Sequence, residues 1–202
     1  MIKRRHVLEF KDEIPDRELL NSLLQRTWKV TPSKNNFMAY TIHVFTSTST
    51  KNLIYNMCNA NEEKLNANNS TEGQYKCILT APYVLLFTQR LEDKPNKRQQ
   101  QLIKKGVHYE AVDPNELINM YDTCCIEVGM FANTLTGLCL ENDLDVTYTK
   151  CFSPFYEDWI KTLPFINRNP VMIMSIGKGK IYREVKEGDL RPDFERIINW
   201  VK

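Results

Sequence analysis

Net charge is what this 202-residue sequence has least of: 27 lysines and arginines against 25 aspartates and glutamates leave +2 at pH 7. A field that weak does not draw in nucleic acid or an acidic lipid surface. The most basic local run, Lys94 to Lys105, holds five cations and three glutamines but no aromatic side chain. Single-strand binders interleave stacking rings with their cations, so this run reads as a solvated face and no nucleic-acid partner is expected. No stretch approaches the ~20 apolar residues needed to cross a bilayer, and no apolar leader opens the chain, so no membrane role is expected either. Histidine is scarce, at three, and the six cysteines include no C-x-x-C pair. The ligand spacings of a zinc site are therefore missing and no metal is expected. Four of those cysteines sit in apolar context, which points to reduced thiols and a cytoplasmic location.

What the chain does have is enough apolar material, 42% of residues, for one well-buried core, and residues 1–202 read as a single domain. Ile14 to Leu24 is helical by spacing, with Leu19, Leu20, Leu23 and Leu24 on one face and Trp28 closing it. A strand is expected over residues 40–46 and a polar helix over 51–67, followed by a Ser/Asn/Gly-rich connection from Asn66 to Gly73. Ala81 to Thr88 is a near-continuous apolar run, the pattern of a strand covered on both faces. Residues 90–113 are the most polar part of the chain and read as a mobile excursion near a site or as a surface insertion, with the first preferred.

From Pro114 to Leu138 one long helix is expected, capped by Asp113, ended by Gly137-Leu138 and buried on most of its circumference. Asp145 to Phe152 reads as extended, Asp158 to Leu163 as a short helix, and Val171 to Ile176 as a strand ended by the turn Gly177-Lys178-Gly179. A short amphipathic element over 191–198 closes the chain. Strands and helices do not alternate regularly, so an α+β layer is expected rather than a doubly wound sheet.

The stretch around which these pieces are arranged is Thr31-Pro32-Ser33-Lys34-Asn35-Asn36. Proline fixes its own φ and pushes Thr31 into an extended conformation, so the upstream helix stops there. Serine and asparagine then favour turns with free backbone N–H groups, which can hold a flat, hydrogen-bonding ligand.

Together with its neighbours this loop resembles a known family. Arg4-Arg5-His6-Val7-Leu8-Glu9-Phe10 is similar to the R-R-S-x-R-x-F opening of the FMN-dependent nitroreductases, and Pro32 to Tyr40 is similar to their P-S-x-x-N-x-Q-P-W. Ala81 to Leu86 resembles their A-P-x-V-I-V strand, and Phe131 to Leu138 their L-A-A-x-x-x-G-L helix end. The resemblance implies a nitroreductase-like α+β sandwich, a mixed sheet flanked by helices, working as an intertwined homodimer with FMN at the subunit interface. It also implies ping-pong chemistry, in which NAD(P)H gives a hydride to the flavin and a small electron-poor acceptor, a nitroaromatic or quinone, takes the electrons.

Carried over by position, Arg4, Arg5 and His6 would meet the FMN phosphate. Pro32, Ser33 and Lys34 would lie against the isoalloxazine ring of the partner subunit's flavin, and Asn36 would hold the loop or the ribityl chain. Gln74 would make a polar contact to the flavin, and the backbone of Lys150-Cys151 would approach its N5 side. Arg191, chosen over Arg183 and Lys186, would supply a second phosphate cation. No G-x-G-x-x-G turn is present to say whether NADH or NADPH is used.

The sequence also departs from that pattern. His6 stands in place of the serine, Leu8 in place of a cation, and Met38-Ala39-Tyr40 in place of Gln-Pro-Trp. A missing charge-assisted hydrogen bond is worth about 1.5–3 kcal/mol, enough to weaken flavin binding without excluding it. Leu8 and Met38 therefore keep a second function open: a family member that binds flavin or has lost it, acting by sequestration or protein contact. A thiol enzyme built on Cys124 or Cys151 is a third reading.

Overall fold

A computed structural model describes residues 5–34, 38–65, 75–90, 100–101, 104–105, 114–153, 155–166 and 168–184. Arg4, Asn36, Gln74, Lys186 and Arg191 lie outside the described residues, as do the expected tail element and most of the 90–113 excursion.

The elements in order are β1 (Val7–Phe10), α1 (Arg17–Val30), β2 (Tyr40–Phe45), α2 (Thr48–Leu65), α3 (Lys76–Thr80), β3 (Tyr83–Gln89), α4 (Pro114–Glu141), β4 (Asp145–Thr149), α5 (Tyr156–Ile160), β5 (Pro170–Gly177) and β6 (Gly179–Tyr182). Four strands form the main sheet in the order β2-β3-β5-β4, and β1 pairs with β6 in a second, two-stranded sheet. The fold is α+β as expected. Where a mixed sheet was expected, every pairing among the described strands is antiparallel.

β3 is the axis of the core. All seven of its residues are buried, because alternate side chains face two different apolar layers. Tyr83, Leu85 and Phe87 point to the layer made with α1 and α4, and Val84 and Leu86 to the layer shared with α2, α3, β1 and α5. In the first layer Phe131 meets Tyr40 edge-on at 5.5 Å and Phe87 at 5.9 Å between ring centroids. Each such buried ring contributes on the order of 1.5–3 kcal/mol through burial alone.

α1 starts where Asp16 caps it, its Oδ1 accepting the Glu18 amide at 3.0 Å, and it buries Leu20 and Leu23. Trp28 does not close that face: it is 57% exposed, beside an open groove of about 610 Å³ along β2. α4 does not stop at Gly137-Leu138 but runs to Glu141. Gly137 is exposed, and a Cβ there would meet nothing, so it exerts no stop. The stop is Asp143 in the left-handed region (φ 56°), with the Leu144 amide donating to the Cys139 carbonyl at 2.9 Å and the Asp143 amide to Leu140 at 3.4 Å.

Tyr121–Glu141 within α4 has the length and mean hydropathy (1.3) of a membrane span, although no such segment was expected from the sequence. Here it serves as a core helix, with Cys124, Val128, Phe131, Leu135 and Cys139 buried against the sheet. Nor is the described part of α4 buried nearly all round. Asp122, Ile126, Gly129, Asn133 and Gly137 form an exposed stripe at helical spacing.

The other differences are of extent. The 145–152 extended segment ends as a strand at Thr149, the short helix falls at Tyr156–Ile160, and β1, β6 and α3 were not expected as elements. Gly177, in the expected turn, closes β5 against Pro82: a Cβ there would sit 2.5 Å from the Pro82 Cδ.

Candidate functional site

The loop after α1 is built around one buried carboxylate. Ser33 Oγ donates to Glu127 Oε1 at 2.9 Å, the Lys34 amide donates to the same oxygen at 2.8 Å, and the Ala39 amide donates to Oε2 at 2.9 Å. Glu127 lies on α4 and is 2% exposed. Three donors on one carboxylate answer the cost of burying it. Ser33 Oγ also accepts the Met38 amide at 2.7 Å, which draws the loop into a closed turn.

Met38 sits at φ 50°, a strained position for a residue with a side chain, and is held there from both sides. Its carbonyl accepts from Arg90 Nε at 2.8 Å, and the Arg90 amide donates to Ala39 at 2.9 Å. Tyr40, beside Glu127, has its phenol pKa raised by burial and by that carboxylate, and stays neutral. Pro32 and Lys34 remain exposed, so the turn is fixed from inside while presenting these two residues outward.

A second feature lies where β1, the end of β4 and α3 meet. A cavity of about 450 Å³ there is lined by His6, Leu8, Lys150, Cys151 and Arg183, with Tyr75, Cys77 and Tyr148 among its walls. Among the described residues that line it none is acidic, whereas three carry or can carry positive charge. The β1–β6 pairing brings two of the three together, since the Arg183 amide donates to the His6 carbonyl at 2.9 Å.

Asp145 steadies the same corner. Its Oδ2 accepts from the Gly179 amide at 3.0 Å and from the Tyr182 hydroxyl at 2.9 Å. Arg5 lies over the Tyr182 ring at 3.6 Å and reaches Asp145 Oδ1 at 3.8 Å. Tyr148 ties β4 to α4 through the Ala132 carbonyl and the Thr136 hydroxyl.

Of the residues singled out from the sequence, the structure gathers His6, Lys150 and Cys151 into one cavity, with Leu8 and with Arg183, which had been passed over for Arg191. Arg5 is engaged by Tyr182 and Asp145 beside it. Pro32, Ser33 and Lys34 do not line this cavity; they belong to the turn on Glu127. Sequence reasoning missed Glu127. The available signal was a lone acid within the otherwise uncharged run Thr123 to Leu140, where a buried charge requires partners.

The thiols do not supply a nucleophile in the core. Burial pushes Cys77 up to about 11, and Cys124 and Cys139 up to about 12, so all three stay protonated at neutral pH. Among the described residues no group of histidines, cysteines and carboxylates is arranged to hold a metal ion.

The donor set of the 450 Å³ cavity suits a phosphate-bearing anionic cofactor: an imidazole, an ammonium and a guanidinium, with no carboxylate opposing them among the described lining residues. Its volume lies within the range of about 300–1,000 Å³ usual for small-molecule sites. Leu8, on the wall, offers nothing to such a group.

No family model matches the sequence, and no curated protein is similar enough to match it. Solved structures do match. A nitroreductase-like protein from Streptococcus mutans is 17% identical over 100% of this chain and 95% of its own, with a TM-score of 0.70. A proposed NAD(P)H:FMN oxidoreductase from Staphylococcus epidermidis is 16% identical over 98% of this chain and 92% of its own, at 0.71. A proposed nitroreductase from Exiguobacterium sibiricum, solved in complex with FMN, is 15% identical over 98% and 93%, at 0.69. Identities this low carry the fold and not the activity. This chain has the nitroreductase-like fold.

Proposed function

We propose that this protein is a flavin-dependent oxidoreductase that binds FMN, is reduced by NAD(P)H and passes electrons to a small electron-poor acceptor in alternating half-reactions. The observation that carries this reading is the cavity lined by His6, Lys150, Cys151 and Arg183, with no acid among the described residues that line it, in a fold that one solved neighbour shares with FMN bound. Lys150, Arg183 and His6 would hold the phosphate, with the guanidinium able to pair bidentately. The backbone at Lys150-Cys151 would meet the ring system. Bound there, FMN supplies hydride acceptance and donation, while the protein orients it and sets its electrostatics. The nearby Cys77, held as a neutral thiol, adds no competing charge.

The working unit in this reading is a homodimer. Pro32 and Lys34, outward-facing on a turn anchored to Glu127, would reach the partner subunit's flavin. The α4 stripe supports close packing of a second copy: a Cβ at Gly129 or Gly137 would meet open space beyond the helix's own backbone among the described residues, and Ile126 is 64% exposed. The six free thiols fit a reducing, cytoplasmic setting.

Leu8 on the cavity wall favours a second reading, a flavin-binding or flavin-free member without turnover. Anaerobic addition of NADH and NADPH to the FMN-loaded protein separates the two. Bleaching of the flavin absorbance supports the enzyme, and colour that persists supports the binding protein.

A further inference from the structure

Away from that site lies a larger cavity, of about 870 Å³, between the segment after β1, the first turns of α1 and the start of α2. Many of its charges are already paired. Lys180 and Lys76 hold the two oxygens of Glu9 at 2.6 and 2.7 Å, and Lys178 holds Glu13 at 2.5 Å. Lys51, on the wall, is different. It is 7% exposed, and its Nζ donates to the Ala81 carbonyl at 2.8 Å. Among the described residues no carboxylate pairs with it.

An ammonium has three donors, and Ala81 satisfies one. It also sits in the first turn of α2, where the helix dipole disfavours a cation. Burial pulls its pKa below the ordinary value, the mark of a charge short of compensation. The wall around it mixes apolar side chains, Leu20, Leu24, Leu79, Pro82 and Tyr83 among them, with the charged Lys11, Asp12, Arg17 and Glu18.

We propose that this cavity binds a small organic monocarboxylate, with Lys51 holding the carboxylate and the apolar side chains of the wall holding its hydrocarbon body. Two oxygens of one carboxylate would accept the two remaining Lys51 donors and supply the negative charge that an alcohol lacks. Asp12 and Glu18 also line the space and are offset by Lys11 and Arg17, so Lys51 is left to favour a single negative charge over a phosphate or a dianion. The site is separate from the flavin reading and does not depend on it.

The test is calorimetric titration of the whole protein with sodium octanoate and with 1-octanol, its neutral counterpart, repeated on Lys51→Met. Saturable octanoate binding is expected, weakened on the order of tenfold or more in the variant, with octanol the weaker ligand only while Lys51 is present. Equal binding of octanoate and octanol to the unaltered protein would overturn the proposal without any variant having to fold. So would undiminished octanoate binding in Lys51→Met, or no saturable binding at all.

Discussion

Ser33 and Glu127, 94 positions apart in sequence, meet at 2.9 Å, and that hydrogen bond joins the proline-serine turn to the centre of the long helix. The same carboxylate takes the Lys34 and Ala39 amides, so the turn's shape is set from the core as well as by its own Ser33–Met38 bond.

Removing that carboxylate should be costly. Glu127→Ala leaves three buried or half-buried donors unmatched and is expected to destabilise the fold by about 3 kcal/mol or more. Glu127→Gln keeps one accepting oxygen for Ser33 and Lys34 but turns an amide toward the Ala39 N–H, so its loss should be intermediate. Ser33→Ala should cost about 1–2 kcal/mol, because the Met38 amide loses its acceptor. Urea midpoints of the three variants check the order.

Leu8 faces a cavity that lacks only a fixed cation on that wall. Leu8→Arg is expected to tighten FMN binding by about 1.5–3 kcal/mol, the worth of a charge-assisted hydrogen bond. Arg183→Ala and Lys150→Ala should loosen it in the same range. Fluorescence titration with FMN measures all three, and unchanged affinity in every variant would remove the cofactor from this cavity.

Acid sensitivity follows from Glu9. Hydrogen bonds from Lys180, then Lys76, hold its pKa below the ordinary 4.5, against an opposing push from burial. A carboxylate depressed in the folded state contributes stability that is present above its unfolded pKa and lost as pH falls through the folded one. Glu9→Gln should therefore flatten the stability loss below about pH 4.5, seen in denaturation midpoints down the acid limb. His43, lowered by burial, moves stability in the same direction but begins near its ordinary 6.5, so the two contributions separate by pH.

The exposed α4 stripe predicts the assembly. Sedimentation should give twice the 23.7 kDa chain mass, and Ile126→Glu or Gly129→Trp should return a species near the single-chain mass. A folded variant still sedimenting as a dimer would move the interface elsewhere.

Much of the core was legible because it obeys local periodicity. The leucine spacing of α1 and the unbroken apolar run of β3 each state which faces are covered. β1 and β6 were not legible, since each is short and its pairing partner lies some 170 residues away. Gly137 misled because glycine marks helix ends only where the left-handed conformation is needed, and that need falls on Asp143. Trp28 misled because spacing places a side chain on a face without saying how far the neighbouring element extends. Of the residues around the candidate cavity, His6, Lys150 and Cys151 were singled out through resemblance. Glu127 was not, because its role comes from donors on a distant loop.

The measurement that bears most directly on the central claim is an anaerobic titration of the purified protein, first with FMN and then with NADH or NADPH. The account predicts a yellow protein that holds about one FMN per chain and is bleached by at least one nucleotide. A protein that stays colourless after saturating FMN would contradict it.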